Sequence, residues 1–140
     1  MSGVSKKITT ALKPIVVPVS LAERSYEIVI GAGLIGEAGK RIARLRPGAA
    51  VAVVTDETVA ALHLPQLEHS LAAAGIRSSK IVVPSGEPSK NFATLERVVD
   101  AILAARIERG DLVIALGGGV VGDLAGFAAA IARRGTDFVQ

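Results

Sequence analysis

The chain has 140 residues, and its 16 Lys and Arg against 13 Asp and Glu give a formal net charge of +3. This length fits one domain, and the absence of cysteine excludes disulfides, thiol nucleophiles and cysteine-bound zinc. With one Tyr, three Phe and no uncharged stretch longer than residues 112–122, we expect neither base stacking with nucleic acid nor a membrane span.

The N-terminal region divides into a tail and a predicted strand pair. Residues 1–13 carry Lys6, Lys7 and Lys13 but no apolar run of signal-peptide length, so we expect a flexible tail of a cytoplasmic protein. Ile15–Val19 and Tyr26–Ile30 are rich in β-branched residues and flank a polar stretch. This pattern predicts two antiparallel strands.

From residue 31 onward, strands and helices alternate. Continuous apolar segments predict parallel strands covered on both faces, at residues 51–55, 80–84 and 112–116. Helical spacing predicts a helix at Leu34–Leu45, a second at 58–74 interrupted at Pro65, and a third from 92 to the Arg109-Gly110 break. We therefore predict an α/β fold: a Rossmann-like, doubly wound, mostly parallel sheet with an N-terminal antiparallel strand pair.

The end of the chain predicts one more helix and one more strand. The helix is expected to end at Gly135 and to carry four apolar residues on one face, Val120, Leu124, Phe127 and Ile131. Residues 137–140 resemble the opening of a further strand that lacks a covering element. We infer a fragment in which residues 14–140 form a truncated domain and a second domain is absent.

Gly117, Gly118 and Gly119 are the strongest candidate binding signal, because they separate a buried strand from a helix. Glycines there let a phosphate reach the backbone amides and the positive helix end. The alternative is a tight turn that packs the helix against the strand. Asp123 follows in the helix, where it would hold a ribose or substrate hydroxyl or simply act as a carboxylate near the helix terminus.

A second glycine pattern competes with the first. Residues 31–36 read Gly-Ala-Gly-Leu-Ile-Gly, and Asp56 lies about 20 residues beyond. This is the spacing of a dinucleotide fingerprint, but a helix-start turn would give the same letters. From the residues alone, both sites remain open.

The loop at residues 85–90 and two histidines carry further candidate side chains. Glu87 and Lys90 lie three apart and would bind a ribose and a phosphate, or form a surface ion pair. His63 and His69 have no matching ligand set, so no metal site is predicted in this chain.

Several segments in combination resemble 3-dehydroquinate synthase, from about residue 15 to the end of the chain. These are residues 84–90 (PSGEPSK), 109–111 (RGD), 117–127 (GGGVVGDLAGF), 134–135 (RG) and 138–140 (FVQ). The resemblance implies the N-terminal, NAD-binding domain of that family. It assigns the pyrophosphate to residues 117–122, so that residues 31–36 become a strand-to-helix turn.

The resemblance also implies roles for individual residues. Asp56 and Thr58 would lie at the adenosine end of NAD, and Glu87 and Lys90 would hold its sugar and neighbouring groups. Asp123 would reach the nicotinamide end, and Arg134 the substrate phosphate of the neighbouring subunit; these two are the implied catalytic residues. The other implied cofactor contacts are Ser85, Gly86, Gly118, Gly119, Val120, Val121 and Gly122.

As a reaction, the resemblance implies conversion of 3-deoxy-arabino-heptulosonate 7-phosphate to 3-dehydroquinate and phosphate in the shikimate pathway. NAD is regenerated in each turnover, a divalent metal (zinc or cobalt) holds the substrate hydroxyls, and the enzyme is a homodimer. The family's metal ligands correspond to positions beyond residue 140, so we expect the fragment alone to be inactive. Residues 131–133 depart from the family pattern, which weakens the assignment of Arg134.

Two alternatives remain at this stage. One is the NAD-binding domain of a metal-dependent polyol or glycerol-phosphate dehydrogenase or of a related sugar-phosphate cyclase. The other is a stand-alone nucleotide-binding module.

Overall fold

The computed structural model describes residues 12–140, so most of the predicted tail at 1–13 lies outside the described residues. The chain divides into two compact units, Met1–Leu34 and Ile35–Gln140. No helix in the described part of the chain is long and apolar enough to cross a membrane.

The first unit contains an antiparallel hairpin of β1 (Ile15–Val19) and β2 (Tyr26–Ile30), which confirms the predicted strand pair. Its register places Ile15 opposite Ile30 and Val19 opposite Tyr26. The connecting turn is closed by Ser25, whose hydroxyl accepts the Leu21 N–H at 3.0 Å and donates to the Ala22 carbonyl at 2.7 Å.

The second unit is built on a four-stranded parallel sheet with the order β4-β3-β5-β6. The helix that leads into it, α1, starts at Leu34 in the first unit. The elements in chain order are α1 (Leu34–Leu45), β3 (Val51–Asp56), α2 (Glu57–Ala73), β4 (Ser78–Val83), α3 (Phe92–Ala104), β5 (Leu112–Leu116), α4 (Gly119–Ile131) and β6 (Asp137–Val139).

Both faces of this sheet are covered, as the continuous apolar strands predict. On β3, Val51 and Val53 pack into a core that includes Ile42 of α1 and three leucines of α2. Ala52 and Val54 point the other way, into a core formed with α3 and α4. The doubly wound α/β fold is therefore confirmed.

The helices α1 and α2 approach very closely at Gly39. A Cβ at this position would lie 2.0 Å from the Ser70 carbonyl oxygen, so only glycine fits. The buried Ser70 hydroxyl accepts the Gly39 N–H and donates to the Gly36 carbonyl, each at 2.9 Å. This bridge fixes the two helices against one face of the sheet.

Pro65 does not interrupt α2, contrary to the prediction. Proline has no N–H to donate to the carbonyl of Ala61, four residues earlier. Because Pro65 and Ala61 are both exposed, that carbonyl faces water instead. Leu64 and Leu67 are buried on the opposite side and hold the helix against the sheet.

The third helix ends earlier than the Arg109-Gly110 break suggests. It stops at Ala104 because Arg106 takes a left-handed conformation with φ 55°, after which the buried Ile107 donates its N–H to the Ile102 carbonyl. Asp111 then closes the turn by accepting N–H groups from Glu108 and Ala50, each at 2.8 Å.

In α4 the buried face differs from the predicted apolar stripe. The inward residues are Val121, Leu124, Ala125, Ala128 and Ala129, whereas Phe127 and Ile131 are about half exposed. Small residues occupy the inner face because α4 packs directly on the sheet. The helix ends at Ile131, before the predicted Gly135, and a short 3-10 turn follows at Ala132–Arg134.

The strand order defines one crevice at the carboxyl edge of the sheet. From β3 the chain runs to β4 on one side, whereas from β5 it runs to β6 on the other. Connections that diverge from neighbouring strands leave a gap between their loops, where α/β proteins bind ligands. Thr55 spans the floor of this gap by donating its hydroxyl to the Leu116 carbonyl at 2.7 Å.

Candidate functional site

The three consecutive glycines after β5 lie at this crevice and serve two different purposes. A Cβ on Gly117 would lie 2.9 Å from the Val121 Cβ and Cγ2, so packing alone requires glycine there. Gly118 and Gly119 have no heavy atom within 4 Å of a would-be Cβ. Because nothing in the described chain fills that space, it is open to a ligand.

The N-terminus of α4 is exposed at the same place. Gly118 is its N-cap and offers no side-chain cap, and the first intrahelical hydrogen bond runs from the Gly122 N–H to the Gly118 carbonyl at 2.9 Å. The N–H groups of Gly119, Val120 and Val121 therefore have no partner within the helix. Together with the helix dipole they form an arrangement that suits an anion.

On the β3 side of the crevice, three polar residues form one hydrogen-bonded cluster. Asp56 Oδ1 accepts from the Val59 N–H at 2.8 Å, which caps α2, and from the Ser85 hydroxyl at 3.1 Å. Thr58 contacts Ser85 through its N–H at 3.3 Å and its hydroxyl at 2.9 Å. Because the Ser85 proton is directed at Asp56, the Thr58 hydroxyl is the donor in that pair.

Lys90 and Asp123 form an ion pair between the loop before α3 and the first turns of α4. Lys90 Nζ lies 2.5 Å from Asp123 Oδ2, and the two side chains are 47% and 60% exposed. The hydrogen bond to Asp123 and the charge of that carboxylate raise the pKa of Lys90 above its ordinary value of 10.5, with a smaller contribution from Glu87. The family resemblance assigns these two residues to different parts of the cofactor, and the structure brings them into direct contact.

A cavity of about 330 Å³ opens beside this ion pair. Apart from the pair and Asn91, its lining is apolar: Phe92, Leu95, Leu124 and Phe127. Phe92 is 82% exposed, which is unusual for a large apolar side chain. A small apolar cavity with a few charged groups at its rim is typical of a small-molecule site.

Two residues that the sequence analysis missed hold the loop before α3 in place. The buried Ser89 donates its hydroxyl to the Pro84 carbonyl. Asn91 caps α3 by accepting the Thr94 N–H at 2.8 Å, and its amide donates to the Pro88 carbonyl at 2.7 Å. An Asn directly before an apolar helix is a recognised capping signal, whereas nothing in the sequence predicts the contact of Ser89 with the Pro84 carbonyl.

Gly86 and Glu87 belong to the same loop. Gly86 has φ 93°, a conformation that favours glycine, and the short 3-10 turn Glu87–Ser89 follows it. Glu87, three residues before Lys90, is exposed, as is Lys90 itself.

Arg134 is not part of this site. It follows the C-terminal end of α4, and a helix of 13 residues is about 20 Å long, so the arginine lies far from the glycines at its N-terminus. Arg133 and Arg134 both have left-handed backbones, with φ 53° and 63°. Arg133 donates to the Ile107 carbonyl at 3.2 Å and lies 3.6 Å from Glu108, while the exposed Arg134 forms no such contact with the described residues.

The competing glycine pattern at residues 31–36 forms a strand-to-helix turn. The strand before it, β2, pairs with β1 in the antiparallel hairpin rather than joining the parallel sheet. Gly33 takes φ 76° in the turn, and α1 begins at Leu34. A dinucleotide fingerprint needs a parallel strand in front of it, so this context is absent.

Comparison with known proteins decides the family. A family model described as 3-dehydroquinate synthase N-terminal matches residues 80–140. A 3-dehydroquinate synthase from Brucella ovis is 59% identical over 132 residues, covering 94% of this chain and 35% of the relative. The chain belongs to the 3-dehydroquinate synthase family. It spans about a third of the length of the curated relatives it matches, so it corresponds to only part of a synthase of that length.

Solved structures of related enzymes share the fold. The 2-epi-5-epi-valiolone synthase from Streptomyces hygroscopicus subsp. jinggangensis 5008, solved with NAD+ and Zn2+ bound, matches with a TM-score of 0.70 and 34% identity over 86% of this chain and 33% of that one. A 2-deoxy-scyllo-inosose synthase solved with carbaglucose-6-phosphate, NAD+ and Co2+ has a TM-score of 0.78 at 19% identity, over 89% of this chain and 33% of that one. At that identity, the second match supports the fold alone.

Proposed function

We propose that this chain binds NAD as the N-terminal domain of a 3-dehydroquinate synthase, with the cofactor's pyrophosphate on the N-terminus of α4. One observation carries the proposal. Gly118 and Gly119 leave open space beside unpartnered amides, whereas packing already explains Gly117. A phosphate that reaches those amides explains why glycine occupies two positions that the fold would let other residues fill.

The cluster on the β3 side suits the adenosine end of the cofactor. Asp56 Oδ1 is occupied by the Val59 N–H and the Ser85 hydroxyl, while its second oxygen has no hydrogen bond among the described residues. That oxygen is available to accept from ribose hydroxyls, and its charge repels the 2′-phosphate of NADP. Thr58 and Ser85 hold the carboxylate in place.

Lys90, Asp123 and Glu87 would serve the rest of the cofactor and the substrate. In their mutual contact, Lys90 and Asp123 neutralise each other at the rim of the apolar cavity. Cofactor or substrate binding would part them, so that the ammonium meets an anionic or polarised oxygen and the carboxylate accepts a hydrogen bond from a hydroxyl group. When bound, NAD supplies a site that reversibly accepts a hydride.

The complete reaction is a proposal for a protein of the relatives' length. Its substrate would be a sugar-acid phosphate. A divalent metal would be bound by residues outside this chain. Among residues 12–140 no group of three or more His, Cys, Asp or Glu side chains could hold a metal, so no step is derived through it. The homodimer and the cytoplasmic location stay predictions from the family resemblance and the sequence.

Among the alternatives, the comparisons favour the synthase over a dehydrogenase. The curated relative at 59% identity is a 3-dehydroquinate synthase. A related sugar-phosphate cyclase is the second candidate, since the valiolone synthase is 34% identical. Because the valiolone synthase was also solved with NAD+ bound, NAD binding does not separate the two candidates and the substrate must.

A chimera tests the activity directly. The 132-residue matching segment of this chain replaces its counterpart in the Brucella ovis synthase, and phosphate release from 3-deoxy-arabino-heptulosonate 7-phosphate is measured. We expect activity to be retained and to be largely lost with Arg134→Ala, while the exposed control Arg44→Ala leaves it unchanged. A folded, NAD-binding chimera without phosphate release would refute the synthase assignment.

A further inference from the structure

At the crevice end of β3, a hydroxyl group follows an apolar, fully buried run. Residues 51–54 are valines and one alanine, and Thr55 after them is also 0% exposed. Valine has the branched shape of threonine without the polar atom, and a polar group is buried at a cost unless it finds a partner. The threonine at this position therefore calls for an explanation beyond the packing of the strand.

The Thr55 hydroxyl is bonded across the sheet to the last residue of β5. It donates to the Leu116 carbonyl at 2.7 Å, and the parallel register pairs these two residues. At the start of the same strand the Leu112 N–H bonds the Ala50 carbonyl, so alternate residues from there to Leu116 direct their backbone polar groups at β3. The Leu116 carbonyl is thus held towards β3 both by strand pairing and by the Thr55 hydroxyl.

This carbonyl belongs to the peptide unit that begins the glycine turn. Because a peptide unit is planar and trans, fixing the Leu116 carbonyl also fixes the Gly117 N–H, which points the opposite way. Gly117 in turn packs against the first turn of α4, since a Cβ there would lie 2.9 Å from the Val121 Cβ. These contacts connect Thr55, on the floor of the crevice, to the helix terminus whose amides lack partners within the helix.

The Leu116 carbonyl is also unfavourable for an anion in the crevice. Its oxygen carries partial negative charge, and it lies in the residue directly before the three glycines. A hydroxyl that donates to this oxygen offsets part of that charge and keeps the oxygen directed at β3. The hydrogen bond from Thr55 therefore favours a phosphate at the neighbouring amides.

We propose that Thr55 is a positioning residue for the cofactor's pyrophosphate, because its hydroxyl fixes the Leu116–Gly117 peptide on which the first turn of α4 rests. The inference rests on the proposed NAD site. Since Thr55 is fully buried, it acts through the backbone and does not touch the cofactor. The alternative is a hydroxyl that only ties β3 to β5, which would change stability but not NAD affinity.

Thr55→Val tests the role of the hydroxyl because it removes that group and keeps the branched shape. We expect the NAD dissociation constant, measured by calorimetry, to rise about tenfold, since the carbonyl loses its partner and the turn is less firmly held. Thr55→Ser keeps the hydroxyl and should bind NAD like the unchanged chain. If circular dichroism shows that Thr55→Val does not fold, Thr55→Ala is compared with Thr55→Ser, because these two differ only in the hydroxyl.

Ser70→Ala is the matched control for lost stability. Ser70 is also buried, and its hydroxyl donates to the Gly36 carbonyl at 2.9 Å, but it lies between α1 and α2 rather than at the crevice. We expect its Tm to fall and its NAD affinity to stay unchanged. In NMR spectra recorded without NAD, the amide signals of Gly118 and Gly119 should shift in Thr55→Val and stay in place in Ser70→Ala.

The possible outcomes distinguish this inference from the NAD site itself. If the unchanged chain binds NAD and a folded Thr55→Val protein binds it equally well, the positioning role of Thr55 is refuted and the NAD site is not. Weakened binding in Thr55→Ser or in Ser70→Ala to the same extent as in Thr55→Val would also refute that role, since the hydroxyl at Thr55 would not be the cause. An unchanged chain that does not bind NAD would overturn the proposed function and this inference together.

Discussion

Replacement of Gly119 by Val separates the binding role of the glycines from their packing role. A Cβ at Gly119 meets no heavy atom within 4 Å, so the domain should fold with a stability within about 1 kcal/mol of the unchanged chain. The new side chain would occupy the space in which phosphate oxygens approach the amides. Loss of two hydrogen bonds to a charged group, at about 1.5–3 kcal/mol each, predicts an NAD affinity at least ~100-fold weaker.

Gly117→Ala is the matched control, because we expect a Cβ at this glycine to disturb packing rather than to block the binding space. Its Cβ would lie 2.9 Å from Val121 and its φ is 157°, so we expect a loss of about 1–3 kcal/mol of stability. For a unit of about 100 residues, each kcal/mol lowers the Tm by roughly 4–8 °C.

Calorimetric titration with NAD and thermal unfolding by circular dichroism measure the two effects. We expect lost NAD binding with a retained Tm for Gly119→Val, and a lowered Tm for Gly117→Ala. Unchanged NAD affinity in a folded Gly119→Val protein would refute the placement of the pyrophosphate on α4.

Three further predictions concern the cluster, the ion pair and the helix crossing. Asp56→Asn keeps the helix cap but removes the charge that repels the 2′-phosphate of NADP. The ratio of the NADP to the NAD dissociation constant, measured by calorimetry, should therefore fall towards one. An unchanged ratio would show that this carboxylate does not discriminate between the two cofactors. Because the pKa of Lys90 is raised above 10.5, the ion pair contributes below that pH and is lost as the pH rises through the folded-state pKa. Asp123→Asn should therefore lower the pKa of Lys90 and speed its acylation at about pH 10, followed by mass spectrometry of its peptide, and an unaltered rate would contradict the pairing. Gly39→Ala should lower the free energy of unfolding in urea by about 3 kcal/mol or more, because its Cβ meets backbone atoms. Gly36→Ala should lower it far less, because its Cβ meets only the end of a flexible side chain at 3.4 Å. Equal effects would refute the close approach of α1 and α2.

Strands and glycine turns were predictable because their signals are local. The β-branched runs of β1 and β2 and the continuous apolar run of β5 occupy the predicted residues. The early end of α3 was not predictable, because a left-handed Arg106 leaves no mark in composition. Pro65 misled the prediction because its effect depends on which side of α2 faces water.

The position of the candidate residues at one edge of the sheet was predictable, but their contacts were not. Asp56, Lys90 and the glycines stand at the ends of parallel strands, and topology alone brings those ends to one edge. The contact between Lys90 and Asp123 joins residues 33 positions apart and depends on how α3 and α4 lie side by side. Likewise, only three-dimensional packing distinguishes Gly117 from Gly118 and Gly119.

The left-handed corner at Arg133 and Arg134 bears on how this chain balances stability against activity. Each non-glycine residue in that conformation costs on the order of 1–2 kcal/mol, and glycine would avoid most of that cost. Arg133 offsets it through its contacts with Ile107 and Glu108. Arg134 has no such compensation among the described residues, so Arg134→Gly is a candidate stabilising substitution. Measured against glycine, the Arg134 side chain is therefore held at a cost in backbone free energy.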